Sequence, residues 1–535
     1  MTQLSVAEPF VEPAVANGFP LSLARALGAS VLSGMFYFLA FPGMDLWPLG
    51  FIALVPLRLA LVGQSSKRAF WLGWLSGFTM ISLGFYWMVA MLQKFSGFPI
   101  AVCLFFVLVV NAFMAGRSGL FAWLFVRSEQ RGWAPGWCWL CALASSELLY
   151  PVLFKWSFGA VVHQVPALTQ VAELGGVMGV ALTVAAGNWG LAELLRRLLE
   201  RRKLAPLAWA PWVAVPVIAA LYGAIRIPQE DARAAAAPHS TIGLVQANMS
   251  LMGKRHDVRE GMRRHLNGTA KLVETAHPAL VLWSETSVAR PISVADAVNS
   301  APVPFAAQLS VPLLFGTVLY ERVSDAREYA LFNSVLITDA AGAVRGRYDK
   351  QELVPFSEHM PFGRELPVLY DISPNSGKFD AGTSVEPLPL AGHKVAVMVC
   401  NDDVTTVLAN KLTRDTNTDL LANLTNDAWF GDTTEPWIHL ALAKFRAIEH
   451  RRYFVRSTNS GVSAFIDPVG RVVAHSDTFH EQTLAVPVAW LRGRTLFEWL
   501  QNYPFLVGAA LVIGAAFFNR PKRAKPARRA SGVGA

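Results

Sequence analysis

The chain has 535 residues, of which 53% are apolar and only 16% charged, against roughly 25% charged in an average soluble domain. With 17 Trp and 33 Phe, the composition rules out a disordered or fibrous chain and argues against a wholly water-soluble one, which must clothe itself in charge. The net charge of +9 reads as topology signals rather than a nucleic-acid surface. Arg520, Lys522, Arg523, Lys525, Arg528 and Arg529 crowd the tail, and Arg196, Arg197, Arg201, Arg202 and Lys203 sit between two apolar runs.

Residues 1–20 are polar and carry Glu8 and Glu12 but no basic stretch of the kind that opens a cleaved leader. Apolar runs follow at 22–41, 46–62, 69–92, 99–126, 134–153, 168–195 and 205–226, with a last one at 496–518. Each is near the ~20 residues that cross a bilayer, although the second is short and Glu173 with Gly175-Gly176 softens the sixth. These runs predict a membrane α-helical bundle of about eight spans with both termini on one side. Lys67 and Arg68, Arg127 and Arg131, the five-residue basic cluster and the tail fall in one set of loops, whereas the alternate loops hold Lys94 and Lys155. The excess of Lys and Arg marks the cytoplasmic side. The predicted organisation is a cytoplasmic segment 1–20, seven spans in 21–226, an extracytoplasmic domain 227–494, a final span 495–518 and a basic cytoplasmic tail 519–535.

Asn188, inside a span, reads as helix-packing glue, and Glu147 as a carboxylate able to meet a polar head group near a membrane face. Cys103, Cys138 and Cys141 lie in apolar runs, and the Cys138-x-x-Cys141 pair has no second pair to complete a zinc site. Cys400 is the only cysteine of the polar half, so it has no disulfide partner there.

From Thr241 the pattern changes. Strands are expected at 242–246, 279–283, 311–318, 334–338, 343–348, 395–399, 420–424, 454–458, 462–466 and 471–475, with helices at 257–276 and 435–451. This mixture predicts a layered α/β domain, and its hairpins argue against a doubly wound sheet. Three reactive side chains follow strand ends, where α/β sheets build their sites: Glu285, Lys350 and Cys400. A thiol needs a base to become a nucleophile, which Glu supplies, and a neighbouring ammonium favours the thiolate and an oxyanion. Spacing alone does not establish the set: taken one at a time, the alternative is a surface Glu, a surface Lys or an inert buried Cys.

The order Glu285…Lys350…Cys400 resembles the nitrilase superfamily. Residues 348–358, Tyr-Asp-Lys-Gln-Glu-Leu-Val-Pro-Phe-Ser-Glu, and 423–431, Asn-Leu-Thr-Asn-Asp-Ala-Trp-Phe-Gly, resemble motifs of the apolipoprotein N-acyltransferase family. Phe41-Pro42, Leu46-Trp47-Pro48-Leu49 and Val245-Gln246-Ala247-Asn248 also fit, as does the layout of seven spans, a domain and one more span. There are two departures. An aromatic residue and Glu usually follow the nucleophile, and here they are Asn401 and Asp402; a Trp often follows the Val-Gln-x-Asn motif, and residues 252–256 hold none.

The resemblance implies an extracytoplasmic nitrilase-like α-β-β-α sandwich in a bacterial inner membrane, facing the periplasm and acting as a monomer. It implies that Cys400 takes an acyl chain from a phospholipid, with phosphatidylethanolamine the expected donor. The thioester is then handed to the α-amine of a diacylglyceryl-cysteine at an apolipoprotein N-terminus, the last step of lipoprotein maturation. Glu285 is then the base, and Lys350 with the Asn401 N–H the oxyanion donors. Glu358 orients Lys350, Asp402 keeps a carboxylate on a shorter arm, and Asn426, Trp429 and Phe430 meet substrate. The apolar, Pro-rich residues 355–379 and an aromatic group of Trp429, Phe430 and Trp437 suit a site opening toward lipid. No zinc spacing and no nucleotide loop is present, so neither metal nor other cofactor is expected. Two alternatives stay open: a membrane-tethered amidase with the same triad, and a diverged, non-catalytic lipoprotein-binding paralogue.

Overall fold

The computed structural model describes residues 20–250, 257–298, 302–322, 329–372, 376–414 and 416–520. Most of the acidic N-terminal segment, residues 252–256 and nearly all of the basic tail therefore lie outside the described residues.

The apolar runs are helices, and several differ in shape from one straight span each. Leu23–Ala40, Ile100–Gln130, Ala172–Leu199 and Ala210–Ala236 are long and apolar enough to cross a membrane. The run at 69–92 is two helices, Ser66–Gly84 and Met88–Ser96, bent by 63° at their break. The run at 46–62 is a 3-10 turn, Trp47–Phe51, followed by Val55–Ala60. The last run is Leu496–Leu500 and then Tyr503–Phe517. The sixth breaks where its glycines predict, with Gly176 at φ +61°. Hydropathy records what a segment dissolves in and not its direction, which is why one apolar run can hide a bend. The outward faces are apolar: Ile100, Phe105, Val109, Ile218, Leu221, Val507 and Leu511 are all more than half exposed or close to it. Such a surface needs lipid against it.

Several polar groups inside the bundle are paired. Asn188 accepts from the Leu54 N–H and donates to the Gly50 carbonyl, which makes it the helix glue expected. Glu147 does not face a head group. It is bonded to Arg117 at 2.8 Å, to the Ser157 hydroxyl and to the Phe158 N–H, and so pins the loop after its own helix. At one end of the bundle Arg58 pairs with Glu129, Gln130 with the Gln64 carbonyl, and Arg127 and Arg131 reach Ala516 and Asn519. The other end carries the second domain: Trp87 meets Phe430, Phe95 meets Trp429, Lys155 pairs with Glu352, and Arg451 binds Glu173 and Gln170.

That domain is a sandwich of two mixed sheets. One sheet joins β1 (His239–Gln246), β2 (Leu280–Leu282), β4 (Leu313–Arg322), β5 (Tyr329–Thr338) and β6 (Val344–Asp349). Strands β3 (Val288–Ser293) and β13 (Gln482–Ala489) are two members that alternation did not reveal; β13 lies antiparallel to β1 and β3 pairs with β4. The other sheet runs β12 (Val472–His475), β11 (Ala464–Ile466), β10 (Phe454–Thr458), β9 (Leu420–Thr425), β8 (His393–Val399) and β7 (Leu388–Leu390). One apolar core holds Leu244, Leu282 and Val335 from the first sheet with Val397, Leu421 and Phe465 from the second, so the sheets face each other. Helix Val258–Ala276 covers the outer face of the first, where Leu272 packs with Val245, Val281 and Trp283. The expected helix 435–451 is two, Glu435–Ala443 and Phe445–His450, on the second sheet's side.

Candidate active site

Strand ends deliver the three reactive side chains to one place. Glu285 follows β2, and Gly316 of β4 lets that loop in: a Cβ there would lie 2.4 Å from the Thr286 nitrogen and 2.8 Å from Glu285 Cα. Lys350 follows β6, and its N–H donates to the Asn333 carbonyl at 2.8 Å, which extends the β5–β6 ladder by one residue. Cys400 follows β8 with φ +50°, in a left-handed turn that opens a 3-10 helix, Cys400–Val404. A non-glycine residue held there stores about 1–3 kcal/mol of strain, tolerated where the surroundings over-determine the position.

The Lys350 ammonium is 2.8 Å from Glu358 and 3.7 Å from Glu285. Asn333 was not anticipated. Its amide donates to Glu285 at 2.7 Å and to Glu358 at 3.0 Å, tying both carboxylates to one buried side chain. The signal is a polar pair, Asn333-Ser334, in the otherwise apolar run 331–337, and a polar pair within a strand has no spacing to read. Glu358 also accepts from the Val354 N–H at 2.9 Å.

Burial drives the Cys400 thiol above its ordinary range. The Lys350 charge opposes this, and Glu285 and Glu358 add to it, so the resting sulfur keeps its proton. Burial pulls the Lys350 ammonium down, but Cys400 whenever it is ionised, with Glu358 and Glu285, outweighs it and holds the group well above the usual lysine value. The resting set therefore places a thiol beside an ammonium. Of the two residues after Cys400, Asp402 is held by three bonds. The Asp402 carboxylate accepts from the Val399 and Glu352 N–H groups and from the Tyr348 hydroxyl. Burial, opposed by Lys350 and these donors, raises it to about 6.

Asn426 accepts from the Asn459 amide at 3.0 Å and caps the turn that carries Trp429. Trp429 and Phe430 are half-buried against the rings of Phe95 and Trp87, at 6.1 and 5.1 Å. Trp437 parts from them; its ring neighbour is His475 on β12. In the segment 355–379, Phe356, Phe362, Leu366 and Val368 are more than half exposed. Among the described residues, Asp427, Glu435 and His439 bring ligand atoms within 4.8 Å of one another, as a cation site would. The Arg456 guanidinium already bonds Asp427 and His439 there and supplies the positive charge.

A cysteine turned out at a strand end beside a Lys–Glu pair, on a two-sheet sandwich seated on membrane helices, defines a membrane-mounted carbon–nitrogen hydrolase type of domain. The apolipoprotein N-acyltransferase N-terminal domain matches residues 33–190, and the carbon-nitrogen hydrolase domain matches 241–490. The apolipoprotein N-acyltransferase of Pseudomonas putida is 30% identical over 512 residues, covering 92% of this chain and 95% of that one. That of Geobacter metallireducens is 26% identical, covering 91% and 94%. Among solved structures, a variant of the Nesterenkonia AN1 amidase from the nitrilase superfamily is 17% identical, with a TM-score of 0.35, covering 48% of this chain and 93% of that one. The chain belongs to the apolipoprotein N-acyltransferase family. It is accordingly an acyltransferase enzyme with apolar helices suited to a membrane.

Proposed function

We propose that this enzyme moves an acyl chain from a phospholipid, through a Cys400 thioester, to the α-amine of the N-terminal diacylglyceryl-cysteine of an apolipoprotein. The observation that carries the reading is the meeting of Cys400, Lys350 and Glu285 at three strand ends on the face of the domain that abuts the bundle. Glu285 takes the Sγ proton as sulfur attacks the ester carbonyl. Lys350 and the Asn401 N–H, at the open start of a 3-10 turn, hold the oxyanion. The carbon–oxygen bond breaks, the proton passes from Glu285 to the departing alcohol, and lysophospholipid leaves. The amine then attacks the thioester, the carbon–sulfur bond breaks, and Glu285 carries the amine proton back to sulfur. An amide is more stable than a thioester, so the second step runs forward. Glu358 and Asn333 fix Lys350 and Glu285, Asp402 fixes the turn, Asn426 braces its loop, and Trp429 and Phe430 meet the lipid.

The proposal includes eight crossings of a bacterial inner membrane, with 1–20 and 519–535 in the cytoplasm and 227–494 in the periplasm. It is supported by the gathering of residues 58–68, 127–131 and 516–519 at the end of the bundle opposite the catalytic domain, the end where positive charge is retained. Phosphatidylethanolamine is the proposed donor and a monomer the proposed working form.

The test is intact-mass spectrometry of the detergent-purified protein after incubation with phosphatidylethanolamine. A gain of one acyl mass, removed by neutral hydroxylamine and missing in Cys400→Ser, is the expected result. Folded protein that gains no acyl mass from any phospholipid would overturn the reading.

A further inference from the structure

Behind Cys400 lies a buried polar cluster that the acyl-transfer steps do not use. Asn423 on β9 and Arg456 on β10 are register partners in adjacent parallel strands. Both are fully buried. The Asn423 amide donates to the Cys400 carbonyl at 3.0 Å, and its oxygen accepts from Arg456 Nη1 at 3.2 Å. The same Nη1 reaches Asp403 Oδ2 at 2.6 Å, while Nη2 reaches Asp427 Oδ2 at 3.1 Å. Nη2 also lies 2.8 Å from His439 Nδ1, a contact satisfied when a guanidinium N–H donates to an unprotonated ring nitrogen. Nε2 of the same ring lies 2.9 Å from Asp403 Oδ1. One guanidinium thus holds the nucleophile's turn twice, through Asn423 at Cys400 and through Asp403 within the same 3-10 helix.

We propose that Asn423 and Arg456 are positioning residues for acyl transfer: they lock the Cys400 carbonyl, and so keep the left-handed turn that presents the Asn401 N–H to the oxyanion. The strain of a non-glycine residue at φ +50° has to be opposed by a contact at that peptide, and the bond from Asn423 to the Cys400 carbonyl is such a contact. A planar, always-charged fork suits this task because it holds four acceptors in one geometry, which an ammonium cannot do. The inference rests on the thioester reading above.

The test separates oxyanion chemistry from thiol reactivity. Displacement of iodide from iodoacetamide by the Cys400 sulfur forms no oxyanion, whereas acylation by phosphatidylethanolamine does. In Asn423→Ala, the thioester forms about 100-fold more slowly, at the lower end of the range known for loss of an oxyanion donor. Alkylation of Cys400 stays within about threefold of the parent, and the unfolding midpoint shows the protein folded. If that variant does not fold, Arg456→Lys, which keeps the charge beside Asp403 and Asp427, is read the same way. Equal slowing of acylation and alkylation, or acylation at the parent rate, overturns the inference. Absence of any thioester in the parent protein instead overturns the function reading.

Discussion

Lys350 is bonded to Glu358 at 2.8 Å and stands 3.7 Å from Glu285. The closer carboxylate holds the ammonium, and the more distant one acts more strongly on the Cys400 charge. Two carboxylates of the same chemistry are thereby given different tasks, and their removal should have different consequences. Glu285→Gln should slow thioester formation about a thousandfold through loss of the base. Glu358→Gln keeps most of the shape and should slow it about 10–100-fold by loosening Lys350. Single-turnover acylation followed by intact mass checks both; equal losses would show that the two carboxylates share one role.

The close approach at Gly316 gives a second prediction. Gly316→Ala places a methyl group 2.4 Å from the Thr286 nitrogen, so the loop carrying Glu285 must move. Overpacking of this kind costs about 1–3 kcal/mol, and the displaced base should lower acyl transfer by about 10-fold or more. Thermal unfolding beside an acylation assay tests this. A stability loss with unchanged acylation would mean that the strain is absorbed away from Glu285.

Trp429 lies against Phe95 of the membrane helices, at the seam between the domains. Trp429→Ala should slow acyl transfer about 10-fold while changing the yield of folded protein less than twofold. Quantifying acylation per folded molecule decides it, since equal losses would reduce the ring to core packing.

The contribution of Asp402 to the stability of the catalytic domain should fall as pH rises between about 4 and 6. Folding raises the Asp402 carboxyl from 3.8 to about 6, so the native state binds more protons than the unfolded chain in that window. The share is at most about 3 kcal/mol at full ionisation. Burial raises Glu435 to about 8 and Glu449 to about 7, which extends the same slope upward. Unfolding midpoints measured from pH 4 to 7 should therefore slope less in Asp402→Asn than in the parent. Parallel curves would show that Asp402 does not carry the effect.

Much of the site was legible because its reactive residues end strands, and a strand end can be found from alternation and its breaks. The family motifs around Lys350 and in 423–431 then tied those ends together. Asn333, Asn423 and Arg456 were not legible as a group. Each lies within a strand, and their partners come from elsewhere in the chain: register sets Arg456 against Asn423, and the Asn333 amide meets Glu285 and Glu358. Strand β13 was missed for a related reason. It begins 236 residues after β1 ends, and only the pairing of Gln246 with Gln482 shows that they are neighbours.

By itself the sequence determined the solvent of each part and the chemistry available. The apolar runs commit the first and last parts to lipid, the alternating runs commit the middle to a layered α/β domain, and Glu285, Lys350 and Cys400 supply a carboxylate, an ammonium and a thiol at strand ends. Solvation and side-chain chemistry are properties of local composition, so they can be read along the chain. Tertiary structure decided that the run at 69–92 bends, that Glu147 is spent on Arg117, that Trp437 parts from Trp429, and that Arg456 reaches the nucleophile's turn. Those outcomes depend on direction and distance between segments remote in the chain, which hydrogen-bond geometry and close packing set only once the sheets and helices have met.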